Sequence, residues 1–340
     1  MIGTAHPIAS QVMFAERAAD GRGKRARVFL PLAPSFLAAS LPPPADVYRL
    51  ASAGRLELFL RKDTPVPPDV RNQAARGEMR QYCYVKEGDG EVLLHHGDRV
   101  LPEILEERRV QLGARCRALH NLTTLLAWDV FERPLALNIF RLGEHASRVV
   151  EFLLREYPVA SRILLRMSHA DYSNAAHAAN VGFHALATAV VVFGRGQAAG
   201  LREMAEGLFL HDIGKCLVPA AILNKTGPLL DSEWYEVKKH PGYGYTLLTR
   251  ERLLSDTARQ VVQEHHERAD GQGYPVAMAG GSIHPYARMC AIADAFDALT
   301  TRRTFRPALR PFDALRIMRE EMRTQFDPEM FRAFVLLMKR

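Results

Sequence analysis

Cysteine is scarce in this chain. Cys83, Cys116, Cys216 and Cys290 are the only four in 340 residues, they lie far apart, and no pair forms a CxxC. That spacing excludes a disulfide framework and a cysteine zinc site, and reads as reduced thiols of a cytoplasmic protein. Long apolar runs are missing as well. The longest, at 183–193, is too short to span a bilayer and contains His184. No basic-then-apolar leader opens the sequence, and no repeat or low-complexity tract interrupts it. A basic run, GRGKRAR at 21–27, comes with no helix-turn-helix, zinc-finger or RNA-binding signature, so no nucleic-acid partner and no membrane span are expected.

What is present is ordinary globular composition, with 48% apolar and 24% charged residues, and enough chain for two or three domains. The net charge of +7 favours an anionic partner such as a nucleotide or an acidic protein; a generally basic, arginine-rich proteome explains it equally well. Residues 1–30 read as a flexible basic lead-in. Residues 31–105 read as a small α/β module: LELFL at 56–60 and YCYV at 82–85 have strand composition, and EGDG at 87–90 is a turn before a further strand-like piece, EVLL at 91–94. From there apolar residues recur every three or four positions, giving a helical connector over 106–168 and a helical bundle over 169–340.

The bundle carries metal-type side chains on its apolar stripes. Leu201, Met204, Ala205, Leu208 and His211 share a helical face, with Asp212 beside them; Ala258, Val261, Val262, His265 and His266 do the same. Asp294 falls on a face with Ala287, Cys290, Ala291, Ala295 and Ala298, and His177 on one with Val181, His184 and Ala185; His240 stands just before Pro241 at a helix end. Imidazole and carboxylate groups are costly to bury without compensation, and a metal cluster inside a helical bundle supplies it. Histidines with shared carboxylates suit Fe, Mn or Zn, and an aspartate such as Asp212 can bridge two ions. Two ions about 3.5–4 Å apart with a water or hydroxide between them suit in-line attack on phosphorus. A cluster of satisfied core histidines is the structural alternative.

In order, the chain reads HDIGKCLVPAAILNKTGPL, KKHPGYGYTLL, HHERADGQGYP, ARMCAIADAFDALTTRR and FDP at 326–328. This succession resembles the HD-GYP family, a branch of the HD-domain metal-dependent phosphohydrolases, over roughly 170–335. The resemblance implies a mainly α protein: a helical HD-type bundle with a small N-terminal α/β module. It implies two divalent metal ions, iron with manganese as the alternative, and hydrolysis of the bacterial messenger cyclic di-GMP to pGpG and onward to GMP by a metal-bridging hydroxide. Carried over by position, His177, His211, Asp212, His240, His265, His266 and Asp294 are the expected metal ligands. Asp212 and Lys215 are the expected catalytic pair, and Lys215, Tyr274, Asp297, Arg303 and Arg306 the expected substrate contacts. Gly271 and Gly273 would permit the tight turns of the GYP loop. Members with three metals carry a glutamate four residues before the first ligand histidine, where this chain has Ser173, which points to a dinuclear site. His169 and His184 are expected to be packing or surface residues, and Asp171 a helix N-terminal residue.

The expected partners are cyclic di-GMP, a protein partner docked through the N-terminal module or the GYP loop, and a second copy in a homodimer. Two alternatives stay open at this point. One is a weak or inactive receptor for the messenger that signals through a protein partner. The other is a hydrolase of a different cyclic dinucleotide.

Overall fold

In the computed structural model the polypeptide divides into two compact units, Met1–Leu125 and Leu126–Arg340. The structure describes residues 7–8, 11–17, 24–51, 55–167, 173–225, 227–251, 254–302 and 306–339, with side chains from Val28 onward, Glu251 excepted.

The first unit holds strands β1 (Pro7–Ile8), β2 (Gln11–Arg17), β3 (Lys24–Leu32), β4 (Val47–Leu50), β5 (Leu56–Leu60) and β6 (Cys83–Lys86), with helices α1 (Pro68–Ala75) and α2 (Gly90–Glu106). The strands form one sheet in the order β1-β2-β3-β6-β4-β5, and every pairing is antiparallel. Strands therefore occupy part of the stretch read as a lead-in. The strand-like piece expected at 91–94 is instead the first turn of α2. Its buried positions, Leu93, Leu94, Gly97, Val100, Leu101, Ile104 and Leu105, keep a three- and four-residue period over the whole helix, and that period outweighs the local composition of four residues. The unit boundary falls inside α3 (Leu112–Glu132), so the stretch read as one connector is divided. Within the first unit, Asn121 of α3 pins the end of β3: its Oδ1 accepts from Ala33 N at 2.8 Å and its Nδ2 donates to Pro31 O at 3.0 Å.

The second unit continues with α4 (Ala136–Glu156), α5 (Val159–Leu164), α6 (Asn174–Phe193), α7 (Ala198–Leu210), α8 (Ala220–Leu223), α9 (Asp231–Val237) and α10 (His240–Glu251). It ends with α11 (Asp256–Glu264), α12 (Pro285–Thr300), α13 (Pro311–Glu320) and α14 (Pro328–Lys339). Helix α6 is the hub and packs against α4, α5, α7, α12 and α14. It is long and apolar enough to cross a membrane, yet most of that length is buried inside the unit, which is what a central core helix requires. Its many alanines and Gly182 let neighbours come close: a Cβ on Gly182 would run into the ring of Phe209 on α7. Phe209 also meets Phe183 edge-to-face at 5.6 Å. The close α6–α7 seam sets where the end of α7, and with it His211, faces α6.

Emptying that seam tests it. Phe209→Ala is expected to destabilise the second unit by about 3–5 kcal/mol, read as a lowered urea midpoint. A loss below about 1 kcal/mol would mean that α6 and α7 close over the gap.

Candidate metal centre

Two histidines cap helix C-termini and a third, the first residue of α10, follows closely on another, where the last carbonyls lack intrahelical partners. His211 caps α7, His265 caps α11, and His240 lies three residues beyond Val237, the last residue of α9. Each ring donates Nδ1–H to the carbonyl three residues back: His211 to Leu208 at 2.8 Å, His240 to Val237 at 2.7 Å and His265 to Val262 at 2.8 Å. A carbonyl can only accept, so Nδ1 carries a proton and Nε2 is the atom turned inward to serve as a donor to metal. His177, on α6, is fixed by a carboxylate instead. Its Nδ1 donates to Asp297 Oδ2 at 2.7 Å, and Asn180 Nδ2 donates to the other oxygen of Asp297 at 2.8 Å.

The four Nε2 atoms converge on Asp212, one pair at each oxygen. Oδ1 lies 3.2 Å from His240 Nε2 and 3.8 Å from His265 Nε2; Oδ2 lies 3.4 Å from His177 Nε2 and 3.5 Å from His211 Nε2. Asp294 faces the cluster from α12, with Oδ1 3.1 Å from His177 Nε2 and Oδ2 3.6 Å from His266 Nδ1. Two sets of side chains thus have donor atoms close enough to share an ion, His177–His211–Asp212 and Asp212–His240–His265–His266, with Asp212 common to both.

The donor set fits divalent metal. The Nε2 atoms of His240 and His265 are only 3.2 Å apart, and with both protons committed to carbonyls they face each other as lone pairs. His211 Nε2 and Asp212 Oδ1 are buried without a hydrogen-bond partner. Buried lone pairs directed at a buried carboxylate are unfavourable by themselves, and a cation among them removes the conflict. The titration behaviour agrees. Burial pushes Asp212 upward, but Lys215, whose Nζ lies 2.5 Å from Oδ2, and His211 outweigh it and hold Asp212 well below the usual carboxylate range. Burial opposes ionisation of Asp294 too, and is overcome chiefly by the hydrogen bond of His177. Burial first, then the neighbouring histidines, keep His265 neutral far below the usual imidazole value. Ionised Asp212 and Asp294 beside neutral His265 and His266 are protonation states that metal binding needs.

Neighbouring residues shape the rim. Gly214 is required where the 3-10 turn Ile213–Leu217 meets α10, because a Cβ there would strike the His240 carbonyl and come within 2.5 Å of Gly244 N. Glu267 is buried and its carboxylate accepts from Val276 N at 2.7 Å and Met278 N at 2.9 Å, anchoring the loop that carries Tyr274. A Cβ on Gly273 would come within 2.5 Å of Glu267 Cα, so the loop lies directly on that anchor. Tyr274 stacks on His266, with ring centroids 4.7 Å apart and planes at 28°.

The structure brings His177, His211, Asp212, His240, His265, His266 and Asp294 together, with Lys215 beside Asp212 and Tyr274 over His266. Two expectations need correction. Asp297, expected at the substrate, is fully buried behind His177 and fixes that ring, so it acts through His177. Arg306, expected on phosphate, donates to the Ala298 carbonyl and, at 3.1 Å, to the Leu299 carbonyl; it caps the end of α12, whose last carbonyls need donors. Arg303, His169 and Asp171 lie outside the described residues. Ser173 is the N-cap of α6, its Oγ accepting from Ala176 N at 3.0 Å. His184 is buried away from the cluster, with Nε2 3.4 Å from Leu165 O. Sequence reasoning overlooked Asn180 and Glu267. Asn180 stands one helical turn after His177, and Glu267 completes the run HHE, so both had a signal.

Comparison with known proteins gives a consistent picture. The HD domain family pattern matches residues 129–330. A cyclic di-GMP phosphodiesterase of Pseudomonas aeruginosa is 43% identical over 135 residues, which is 40% of this chain and 32% of that protein. A 3'3'-cGAMP-specific phosphodiesterase of Vibrio cholerae is 42% identical over 124 residues, 36% of this chain and 27% of that one. The chain thus spans under a third of the length of these curated relatives. Among solved structures, a HDG"Y"P protein from Bdellovibrio bacteriovorus aligns with a TM-score of 0.67 and 15% identity, covering 92% of this chain and 100% of that chain. At that identity the likeness concerns the fold.

If Asp297 acts by holding His177, Asp297→Ala should weaken metal affinity on the order of 10- to 100-fold in a chelator competition. A raised KM with metal affinity unaltered would return Asp297 to the substrate.

Proposed function

We propose, from the premise that this chain belongs to the HD domain family, that it is a metal-dependent phosphodiesterase hydrolysing cyclic di-GMP to pGpG or GMP. The observation that carries the reading is Asp212, with one carboxylate oxygen turned to His240 and His265 and the other to His177 and His211. That arrangement supports a dinuclear centre, with His177, His211 and Asp212 holding one ion and Asp212, His240, His265 and His266 the other. Asp294 faces His177 of one set and His266 of the other, and is proposed to join both. Ser173, spent on capping α6, offers nothing to a third ion. The nitrogen-and-carboxylate donor set suits iron, manganese or zinc, and among these the family resemblance favours iron, with manganese as the alternative.

Bound divalent ions would supply the acidity that ionises a water at neutral pH and the charge that neutralises phosphoryl oxygens. The chain's own residues do the rest. Water's oxygen forms a bond to phosphorus while the bond from phosphorus to the 3′-oxygen breaks; water gives up a proton and the 3′-oxygen gains one. Lys215, whose side chain is 14% exposed beside Asp212, is positioned to donate to a phosphoryl oxygen at that stage. Tyr274 covers His266 and limits water on that side. Arg303 keeps its proposed role as a phosphate contact carried over from the family motif. Four free thiols, three of them buried, support a reducing cytoplasmic setting.

A second reading, a different cyclic dinucleotide as substrate, is favoured by the Vibrio cholerae relative, whose name specifies 3'3'-cGAMP. A substrate panel separates the two.

Protein purified without oxygen is expected to carry about two metal ions per chain and to release pGpG or GMP from cyclic di-GMP, with both properties lost in Asp212→Ala. Metal and messenger bound without product would move the chain to the receptor class, and iron well above two per chain would exclude the dinuclear site.

A further inference from the structure

Outside the metal cluster, one group of side chains runs from a ligand to the surface. Tyr274 lies against His266 on its inner side. The Lys238 ammonium is 5.6 Å from the centre of the Tyr274 ring and 5.8 Å from the centre of the Trp234 ring, so one cation bridges two aromatic faces. Trp234, on α9, is 46% exposed. The tier is held in register with the metal site because the last carbonyl of α9, at Val237, is the one that accepts from His240 Nδ1. Tyr235 is more exposed still, at 66%, but its cation is Lys239, which pairs with Glu236 and has no described link to Tyr274 or to any ligand.

We infer that Trp234 is a stacking platform for one purine of the substrate and that Lys238 takes the phosphate next to it, the one that is not cleaved. The inference rests on the proposed phosphodiesterase reading and adds the subsite that reading leaves unassigned. A cyclic dinucleotide brings two phosphates and two purines. With one phosphate at the metal centre, the purine next to it needs an aromatic surface and the second phosphate a cation, both at the rim. An indole that stays half-exposed presents such a surface at little ordering cost, and stacking tolerates any purine, so Trp234 contributes affinity without choosing between guanine and adenine.

The test uses the full metal-loaded chain and two readouts. Trp234→Ala is expected to raise KM for cyclic di-GMP on the order of 10- to 100-fold, the range that base-on-aromatic stacking supplies, with kcat falling far less. Trp234→Phe should restore most of the loss, which separates stacking from a damaged helix. Lys238→Ala should raise KM in a manner that fades as salt is added. The second readout is intrinsic fluorescence. The chain has only two tryptophans, Trp128 and Trp234, so cyclic di-GMP should quench the wild type and leave Trp234→Phe unchanged. Quenching without product would keep the platform and remove the hydrolase reading. Product formation with no quenching, and with KM unchanged in Trp234→Ala, would keep the hydrolase and overturn the platform.

Discussion

The site depends on one local interaction made three times, an imidazole Nδ1–H given to the carbonyl three residues back at the end of a helix. Leu208, Val237 and Val262 supply the carbonyls, and His211, His240 and His265 the rings. Each such hydrogen bond is worth about 1 kcal/mol, far too little to offset the burial of a carboxylate among imidazoles. Its contribution is geometric. It fixes the tautomer and turns Nε2 inward, and it uses a helix end that would otherwise need a different partner. Metal binding in comparable protein sites contributes several times more than all three bonds together. The protein therefore spends its own packing on orientation and leaves the larger favourable term to the ion.

Close backbone contact makes the arrangement possible. The three helix ends can meet at Asp212 only if α6, α7, α10 and α11 come together with little between them. Gly182 under Phe209, Gly207 against the Ala258 carbonyl, Gly214 under the His240 carbonyl and Gly244 against Val262 are positions where a methyl group would press the elements apart. The sequence HDIGK combines two demands: His211 and Asp212 carry the chemistry, while Gly214 admits α10 and so brings His240 to the shared carboxylate.

Much of the site was legible in the sequence because helical periodicity and burial obey the same geometry. His211 follows Leu201, Met204, Ala205 and Leu208, and His265 follows Ala258, Val261 and Val262, and all of these are buried together. Periodicity fails where a helix is enclosed on more than one side. Asp297, three residues after Asp294 on α12, was expected at the substrate from the family resemblance alone; α12 is enclosed on that side as well, and burial places Asp297 behind His177. Arg306 was misread for another reason: the carbonyls that end α12 need donors, and a guanidinium close in sequence meets that need before any ligand arrives. The misjudged strand at 91–94 shows the opposite error, a four-residue window read without the helix that continues it.

Electrostatics ties the proposed two-ion centre to the charge of its proposed substrate. Asp212 and Asp294 are both held ionised inside the cluster, and burial keeps His265 and His266 neutral. A single divalent cation together with Lys215 would only balance the carboxylates of Asp212, Asp294 and Asp297, leaving little attraction for a phosphodiester. A second divalent cation would make the pocket positive in a low-dielectric setting, where such charge acts with much less screening than in water. The same carboxylates would thus set the number of ions at which the cluster begins to attract phosphate. Lys238 lies farther out, in contact with Trp234 and Tyr274, where exposure to water weakens its pull. A substrate carrying two phosphates is then oriented by the unequal strength of the two positive regions, with one phosphate drawn to the ions and the other left at the rim.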